Sequence, residues 1–267
     1  MPHVRTADFD CWYEDDCFAS PWREQDVVLI QHGFGRNAQY WRHWVPDLAR
    51  AHRVIRRDMR AHGGSSSGEV AWSVEGLVAD VIAFLDALGL ERVHYVGESL
   101  GGITGIALGA MHPERFHSIT LVQTPLRLGK PLQDAMRGDY PSWSAALRDL
   151  GPGGWVTRGR SAGDPQAEWD RAQWDRCDPD ALVALCETTP KVDVEDLLPK
   201  VATPTLVLAP AVSIFTPISE QFVIRTRIPD AEIEVFEGCG HNIYVDEPER
   251  CTARLLRFIE QRAELGS

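Results

Sequence analysis

Residues 93–102, VHYVGESLGG, decide the fold: an apolar run leads into Gly97-Glu98-Ser99-Leu100-Gly101, and a helical pattern follows. A G-x-S-x-G sequence between a strand and a helix forms a sharp turn that presents the serine at the top of a sheet. The glycines are needed there because larger side chains would collide with neighbouring backbone. The N-terminus of the following helix favours negative charge, so this segment predicts a nucleophilic Ser99 beside an oxyanion site.

Short apolar runs alternate with helical patterns on both sides of this turn, which indicates an α/β fold with a mostly parallel sheet and crossover helices. The strand candidates are residues 27–31, 53–57, 93–97, 118–122, 204–209 and 232–236, and residues 4–18 are a candidate N-terminal hairpin. The helix candidates include residues 73–89, with Ser73 as N-cap and Gly89 at the C-terminal end, and residues 247–263.

The stretch 125–200 breaks this alternation. It holds no strand-like run, and it contains a GPGG segment and four tryptophans: Trp143, Trp155, Trp169 and Trp174. A long strand-free stretch between two strands of one sheet predicts an inserted helical lid. We therefore expect a core formed by residues 1–124 and 198–267 and a helical cap formed by residues 125–197.

Two further segments supply groups that a nucleophilic Ser99 would need. In VVLIQHGFG, residues 27–35, a His-Gly pair follows a strand, so the backbone N–H of Phe34 could join that of Leu100 in an oxyanion hole, with His32 fixing the loop. In EVFEGCGHNIYVDEPE, residues 234–249, His241 lies on a glycine-rich loop late in the chain. Of the nine histidines, only His241 follows the nucleophile–acid–base chain order, which makes it the candidate base.

These pieces resemble the α/β-hydrolases of the esterase, lactonase and C–C hydrolase group. The segments that carry the resemblance are HGFGRNAQYW, RRDMRAHGGSS, VGESLGG, PTLVLA and GCGHNIYVDEPE, from about residue 27 to the C-terminus with the cap between them. The resemblance implies an eight-stranded, mostly parallel sheet with a helical cap after the sixth strand. It also implies Ser99 as nucleophile, His241 as base, the amides of Phe34 and Leu100 as oxyanion hole, and no metal or organic cofactor.

The sequence departs from this family at the acid that normally orients the histidine. The family places it after the seventh strand, where LAPAVSIFTP has Ser213, or less often after the sixth, where LVQTPLRL has Gln123 and Thr124. No Asp or Glu occurs in residues 119–133 or 197–219. Removal of such an acid costs roughly 10⁴-fold in rate, so the site would be slow rather than inactive.

Three explanations remain open at this point. Gln123 or Ser213 orients His241 as a neutral partner, as an asparagine does in papain-like proteases. Alternatively a carboxylate arrives from elsewhere, or the reaction does not need a fully activated serine. The candidate carboxylates are Asp58, Asp193 and Glu195. Glu98 is expected to point away from the adjacent Ser99 and to act as a structural residue.

The amino-acid composition restricts the classes of molecule that the protein is expected to bind. With 27 Lys+Arg against 39 Asp+Glu, the net charge of −12 argues against nucleic acid. The N-terminus lacks a secretory pattern, and the apolar stretches are too short to span a membrane. The six cysteines show no metal-ligand spacing and are typical of free thiols. We expect a cytoplasmic protein with a small-molecule substrate and no metal; monomer and homodimer both remain open.

The sequence thus predicts a serine hydrolase that cleaves a carboxylic ester or lactone with an apolar or aromatic portion. A C–C bond hydrolase or cofactor-free oxygenase on the same scaffold is the alternative, and a non-catalytic small-molecule-binding protein is the alternative of another class. Trp155 is the expected pocket wall, and Arg36 or Arg127 could pair with a substrate carboxylate.

Overall fold

The computed structural model describes residues 2–22, 24–68 and 72–266, and in these residues eight strands form one sheet. The strands are β1 (His3–Arg5), β2 (Asp10–Asp16), β3 (Val27–Gln31), β4 (Arg53–Arg57), β5 (Val93–Glu98), β6 (Phe116–Val122), β7 (Thr205–Pro210) and β8 (Ala231–Phe236). Their spatial order is β1-β2-β4-β3-β5-β6-β7-β8. Strands β3 to β8 run parallel, and β2 pairs antiparallel with β1 and β4. The expected eight-stranded, mostly parallel sheet is confirmed.

Both faces of this sheet are covered, which explains why its strands are apolar runs rather than alternating patterns. In β3, Val27 and Leu29 belong to one buried cluster, whereas Val28 and Ile30 belong to the cluster on the opposite face. The strands are therefore held from both sides, and functional side chains can lie only at the strand ends, in the loops.

The helices of the described residues are α1 (Val45–Leu48), α2 (Val74–Ala87), α3 (Leu100–Met111), α4 (Lys130–Arg137), α5 (Trp143–Val156), α6 (Pro165–Trp174), α7 (Pro179–Thr188), α8 (Ile218–Arg227), α9 (Ile243–Asp246) and α10 (Pro248–Gly266). The ends of α2 follow from capping: Ser73 accepts a hydrogen bond from the N–H of Gly76 at 3.0 Å, and Gly89 adopts a φ of +65°. None of these helices is long and apolar enough to cross a membrane.

Helices α4 to α7 all lie between β6 and β7, as the helical insertion after the sixth strand requires. In the described part of this insertion, the only strand-type pairing is an isolated bridge between Arg127 and Asp193. The GPGG segment does not form a loop; it kinks α5, where Gly151 has φ +67° and ψ 166° and Pro152 follows. The limits of the cap at residues 125 and 197 stay a prediction.

Candidate active site

The turn from β5 into α3 has the strained geometry that its sequence predicts. Ser99 adopts φ +51° and ψ −111°, a conformation that non-glycine residues rarely occupy. A Cβ on Gly97 would lie 2.2 Å from the carbonyl oxygen of Gly101, and one on Gly101 would lie 2.5 Å from that of Gln31. The glycines are therefore required by backbone contact, and the strain is held by packing on both sides of the turn.

Glu98 supports the loop that follows β3. Its Oε2 accepts a hydrogen bond from the N–H of Gly33 at 2.8 Å, and its Oε1 accepts one from Nε2 of Gln123 at 3.1 Å. The carboxyl is buried, and burial raises its pKa. As expected from the sequence, Glu98 joins the serine turn to the preceding loop by contacts of a structural kind.

Two neutral histidines hold the same loop. Nε2 of His32 accepts from the N–H of Met59 at 2.9 Å, and its Nδ1 lies 2.8 Å from the carbonyl oxygen of Gly33. Nε2 of His62 accepts from the N–H of Gly35 at 3.1 Å. Burial lowers the pKa of His62 to about 4, so it stays uncharged at neutral pH. These bonds fix the backbone on either side of Phe34.

The backbone N–H groups of Phe34 and Leu100 donate to no acceptor within the residues that the structure describes. Both residues line one cavity together with Ser99. Two unused N–H groups beside a serine are the donors that a tetrahedral oxyanion needs. The site thus has room for the predicted oxyanion hole.

His241 lies on the loop between β8 and α9, and it lines the same cavity as Ser99. Its Nδ1 is 3.1 Å from Oγ of Ser213, the residue at the position of the usual acid, and 3.5 Å from Oγ1 of Thr216. Among the described residues no hydrogen bond joins Ser99 to His241. Such bonds often tighten only when a substrate is bound.

The hydrogen bonds of Ser213 decide which way its hydroxyl points. Its Oγ accepts from the N–H of Phe215 at 3.2 Å, from the N–H of Thr216 at 3.1 Å and from Oγ1 of Thr216 at 2.9 Å. Its own hydrogen is then left for Nδ1 of His241, which makes Nδ1 an acceptor. A neutral imidazole carries one ring proton, so that proton lies on Nε2.

The environment of His241 also disfavours its charged form. Burial, and then the positive charge of Arg36, lower its pKa to about 3. A carboxylate at the position of Ser213 would act in the opposite direction by stabilising the imidazolium. The histidine is therefore neutral at pH 7, and it presents an Nε2–H donor in the resting site.

The other candidate partners of His241 lie elsewhere. Gln123 does not reach it, because its side chain donates to Glu98 at the end of the neighbouring strand. Asp58 accepts from the N–H groups of Ala38 and Gly64, both at 2.7 Å, and burial raises its pKa to about 6. The remaining two carboxylates, Asp193 and Glu195, form ion pairs with Arg127. The structure thus brings Ser213, and not Gln123 or a carboxylate, to the histidine.

The cavity at Ser99 has a volume of about 390 Å³ and an aromatic wall from the cap. Trp155 lines it between Trp143 and Trp174, with ring centroids 5.7 and 5.1 Å away. Arg36 also lines it. Arg127 does not: its side chain is 47% exposed and is held outside by Asp193 and Glu195, near the C-terminal end of the predicted cap.

Several residues that line the cavity are not predicted by any sequence motif. Thr216 and Phe215 carry no motif beyond the loop after β7, and Arg158 of the cap stacks on Trp155 at 4.3 Å. Asn242 follows His241 directly, and that adjacency is the one signal that points to it. In the described residues no group of three His, Cys, Asp or Glu side chains is arranged to hold a metal ion.

Comparisons with known proteins agree with this geometry. A family model described as "alpha/beta hydrolase fold" matches residues 26–150. "Putative carbamate hydrolase RutD" of Caulobacter sp. (strain K31) is 26% identical over 91% of this chain and 94% of its own length. A 3-oxoadipate enol-lactonase 2 of Acinetobacter baylyi is 26% identical over 85% of each chain.

A solved structure also shares the whole architecture. A hydrolase from Pseudomonas aeruginosa PA01 superimposes with a TM-score of 0.80 at 28% identity, covering 97% of each chain. The two chains therefore share one fold over nearly their whole length.

Proposed function

Because the chain belongs to the α/β-hydrolase fold superfamily, we propose that it is a serine hydrolase of carboxylic esters or lactones with an apolar or aromatic portion. The supporting observation is Ser99, strained at the strand–helix turn, in one cavity with His241 and two unused backbone N–H groups. The aromatic wall fits a flat or apolar acyl or alcohol portion. The enol-lactonase among the relatives agrees with this substrate class.

In the proposed reaction, Oγ of Ser99 attacks the substrate carbonyl, and the N–H groups of Phe34 and Leu100 hold the oxyanion. His241 accepts the serine proton at Nε2. It does so from the tautomer in which Nδ1–H donates to Ser213, so the resting hydrogen bond to Ser213 reverses first. The histidine then protonates the leaving group, and water hydrolyses the acyl-enzyme after giving its proton to His241.

The neutral partner of His241 restricts the substrates. A hydroxyl stabilises the imidazolium much less than a carboxylate does, so protonation of the leaving group is the weak step. Phenols and enols leave as weakly basic anions and need little protonation. Aryl esters and enol esters or lactones are therefore expected to react faster than alkyl esters.

Fluorophosphonate labelling and hydrolysis of 4-nitrophenyl butanoate test the proposal. The wild-type chain is expected to be labelled at Ser99 and to release nitrophenolate. Ser99→Ala is expected to lose labelling and to reduce turnover to the uncatalysed background, because removal of a catalytic serine costs on the order of 10⁶-fold in other serine hydrolases.

Ser161→Ala is the matched control, since Ser161 is exposed and does not line the cavity at Ser99. It is expected to behave like wild type. Unchanged turnover in Ser99→Ala would rule out a serine mechanism.

Hydrolysis of a C–C bond is a second candidate, and the Nε2–H donor of His241 favours it. Such a donor can hold the carbonyl oxygen of a diketone without first removing a proton from Ser99. Turnover of a vinylogous diketone, measured under oxygen and under nitrogen beside the ester, separates C–C hydrolysis and oxygenation from ester cleavage.

A further inference from the structure

Arg36 carries a positive charge that no acidic side chain of the described residues contacts directly. It lies just after the loop of Phe34, and no carboxylate of the described residues is within ion-pair distance. Two of its N–H groups donate to neutral acceptors: Nη2 to Oδ1 of Asn242 at 2.7 Å and Nη1 to the hydroxyl of Tyr244. A guanidinium has five N–H donors, so three remain for a ligand.

Two other buried arginines form ion pairs, whereas Arg57 forms none among the described residues but does not line the cavity at Ser99. Arg56 contacts Glu14 and Asp16, and Arg60 contacts Asp80. Burial of a charge without a counter-charge costs free energy, so a guanidinium without an acidic partner beside a cavity is an arrangement that an anionic ligand completes.

The guanidinium is also held in a fixed place. Its central carbon lies 4.8 Å from the ring centroid of Tyr40 and 5.3 Å from that of Tyr244. Both rings, with Asn242, restrict its orientation before any ligand arrives. A fixed planar guanidinium is suited to two parallel hydrogen bonds to a carboxylate.

Arg36 lies between two cavities. One is the cavity at Ser99, and the other has about 430 Å³ and lies between the cap and the segment after β3. They share Arg36, Val156, Trp174 and Asn242. The Tyr40 and Trp169 rings of the second cavity are in edge contact at 4.7 Å.

Neither nearby acid competes for Arg36. Glu98 is the one carboxylate among the described residues that line the Ser99 cavity, and both its oxygens already accept hydrogen bonds. Asp170 lines the second cavity and is taken by Arg160 and by the hydroxyl of Tyr40, each at 2.8 Å. Both acids therefore act on Arg36 only through space, and neither forms an ion pair with it.

We propose that Arg36 binds a carboxylate of the substrate. The substrate cleaved at Ser99 is then an ester or lactone that also carries one free carboxylate, which is held at the boundary of the two cavities. This rests on the proposed function, because it places the scissile carbonyl at Ser99. Arg36 then determines specificity: it anchors the end of the substrate that does not react.

Matched substrate pairs test the proposal. The 4-nitrophenyl monoester of glutaric acid is compared with 4-nitrophenyl pentanoate, and 4-acetoxybenzoate is compared with phenyl acetate, so that the carboxylate sits on the acyl part in one pair and on the leaving group in the other. Wild type is expected to prefer the anionic member of at least one pair in kcat/KM by about 10- to 100-fold, corrected for the intrinsic reactivity of each ester in buffer.

Substitution of Arg36 is expected to remove that preference mainly through KM. Arg36→Met keeps the apolar stem and removes the charge, so the ratio is expected to fall close to one. Arg36→Lys keeps the charge without the planar fork and is expected to retain part of it. Arg148→Gln is the control, because Arg148 pairs with Glu187 on the exposed side of the cap and lines neither cavity. A ratio near one in wild type, or one that survives in Arg36→Met, would overturn the proposal.

Direct binding separates this proposal from the proposed function. Calorimetry with Ser99→Ala compares 4-phenylbutanoate with 4-phenylbutanamide, and the carboxylate is expected to bind at least 10-fold tighter only while Arg36 is present. If esters are not cleaved but this difference is found, the hydrolase proposal fails and the anion site stands. If esters are cleaved and carboxylate and amide bind equally, the anion site fails alone.

Discussion

The turn at Ser99 and the loop after β7 lie at the same edge of the sheet and meet one cavity, yet the resemblance to hydrolases holds at the first and fails at the second. At Ser99, backbone contacts tolerate only glycine on either side, and the φ of the serine is fixed at +51°. After β7, a hydroxyl replaces a carboxylate, and the flanking Val212 and Ile214 are 64% and 73% exposed. Steric constraint governs the first region, and hydrogen-bond chemistry governs the second.

Ser213 explains how the acid can be absent without loss of the loop. Its Oγ accepts the N–H groups two and three residues ahead, a turn that Asp and Ser side chains both stabilise. The hydroxyl therefore keeps the structural half of the role of an acid. It lacks the electrostatic half, which is to stabilise the imidazolium of His241 by a negative charge.

Ser213→Asp is expected to produce the largest change in activity of the variants considered. The carboxylate would accept Nδ1–H, place the lone pair of Nε2 toward Ser99 and raise kcat by up to about 10⁴-fold, the effect of the reverse change in serine proteases. Steady-state hydrolysis of 4-nitrophenyl butanoate measures it. Ser213→Asn has the same shape without the charge and is expected to stay near wild type. An Asp variant no faster than the Asn variant would show that the histidine partner does not limit the rate.

The second largest effect is expected in the pH dependence of kcat/KM. His241 acts as a base only while neutral, and its pKa is lowered to about 3, so the wild-type kcat/KM is expected to stay level from pH 8 down to about 4.5. In Ser213→Asp the carboxylate raises the pKa of His241, so activity is lost as the pH falls through a higher value, within the range from 5 to 7. An acid limb at the same pH in both proteins would contradict the assigned role of position 213.

Gly101→Ala tests the steric constraint at the turn. The added methyl would meet the carbonyl of Gln31 at 2.5 Å, so the free energy of unfolding is expected to fall by about 1–3 kcal/mol in urea titration. Gly154→Ala is the control in α5, where the new Cβ would lie 3.4 Å from Leu150 and Ala favours the helix by up to about 1 kcal/mol. Equal stability of the two variants would show that the turn tolerates a side chain.

Arg127→Gln is expected to have the smallest effect. Arg127 follows β6 but pairs with acidic side chains outside the cavity, so its loss should change stability by about 1 kcal/mol or less and leave ester hydrolysis unchanged. Activity and thermal unfolding measure both. A loss of turnover would show that Arg127 itself contributes to the site.

The sequence predicts the strands, the helical insertion and the candidate Ser99 because each rests on a local rule: apolar runs for buried strands, capping for α2, and G-x-S-x-G for Ser99. It leaves the partner of His241 open between Gln123, Ser213 and a carboxylate from another segment. That choice depends on strand order, which a single sequence does not contain.

Strand order resolves the choice in a direct way. Strand β7 pairs with β8, and Pro210 lies opposite Phe236, so the loops that carry Ser213 and His241 leave the sheet side by side. Strand β6 pairs with β5, and Val122 lies opposite Glu98, so Gln123 meets Glu98 instead. The expectation for Arg127 fails for a related reason, since an antiparallel bridge to Asp193 turns it away from the cavity.

The sequence by itself determined the fold class and identified Ser99 and His241 as candidates, because apolar runs, capping residues and the G-x-S-x-G turn can be read from residues close in the chain. Only the tertiary structure decided what those residues face: the hydroxyl at Nδ1 of His241, the unpaired charge of Arg36 and the aromatic wall from the cap. These depend on side chains brought together from distant segments, and neither spacing nor composition records which of them meet.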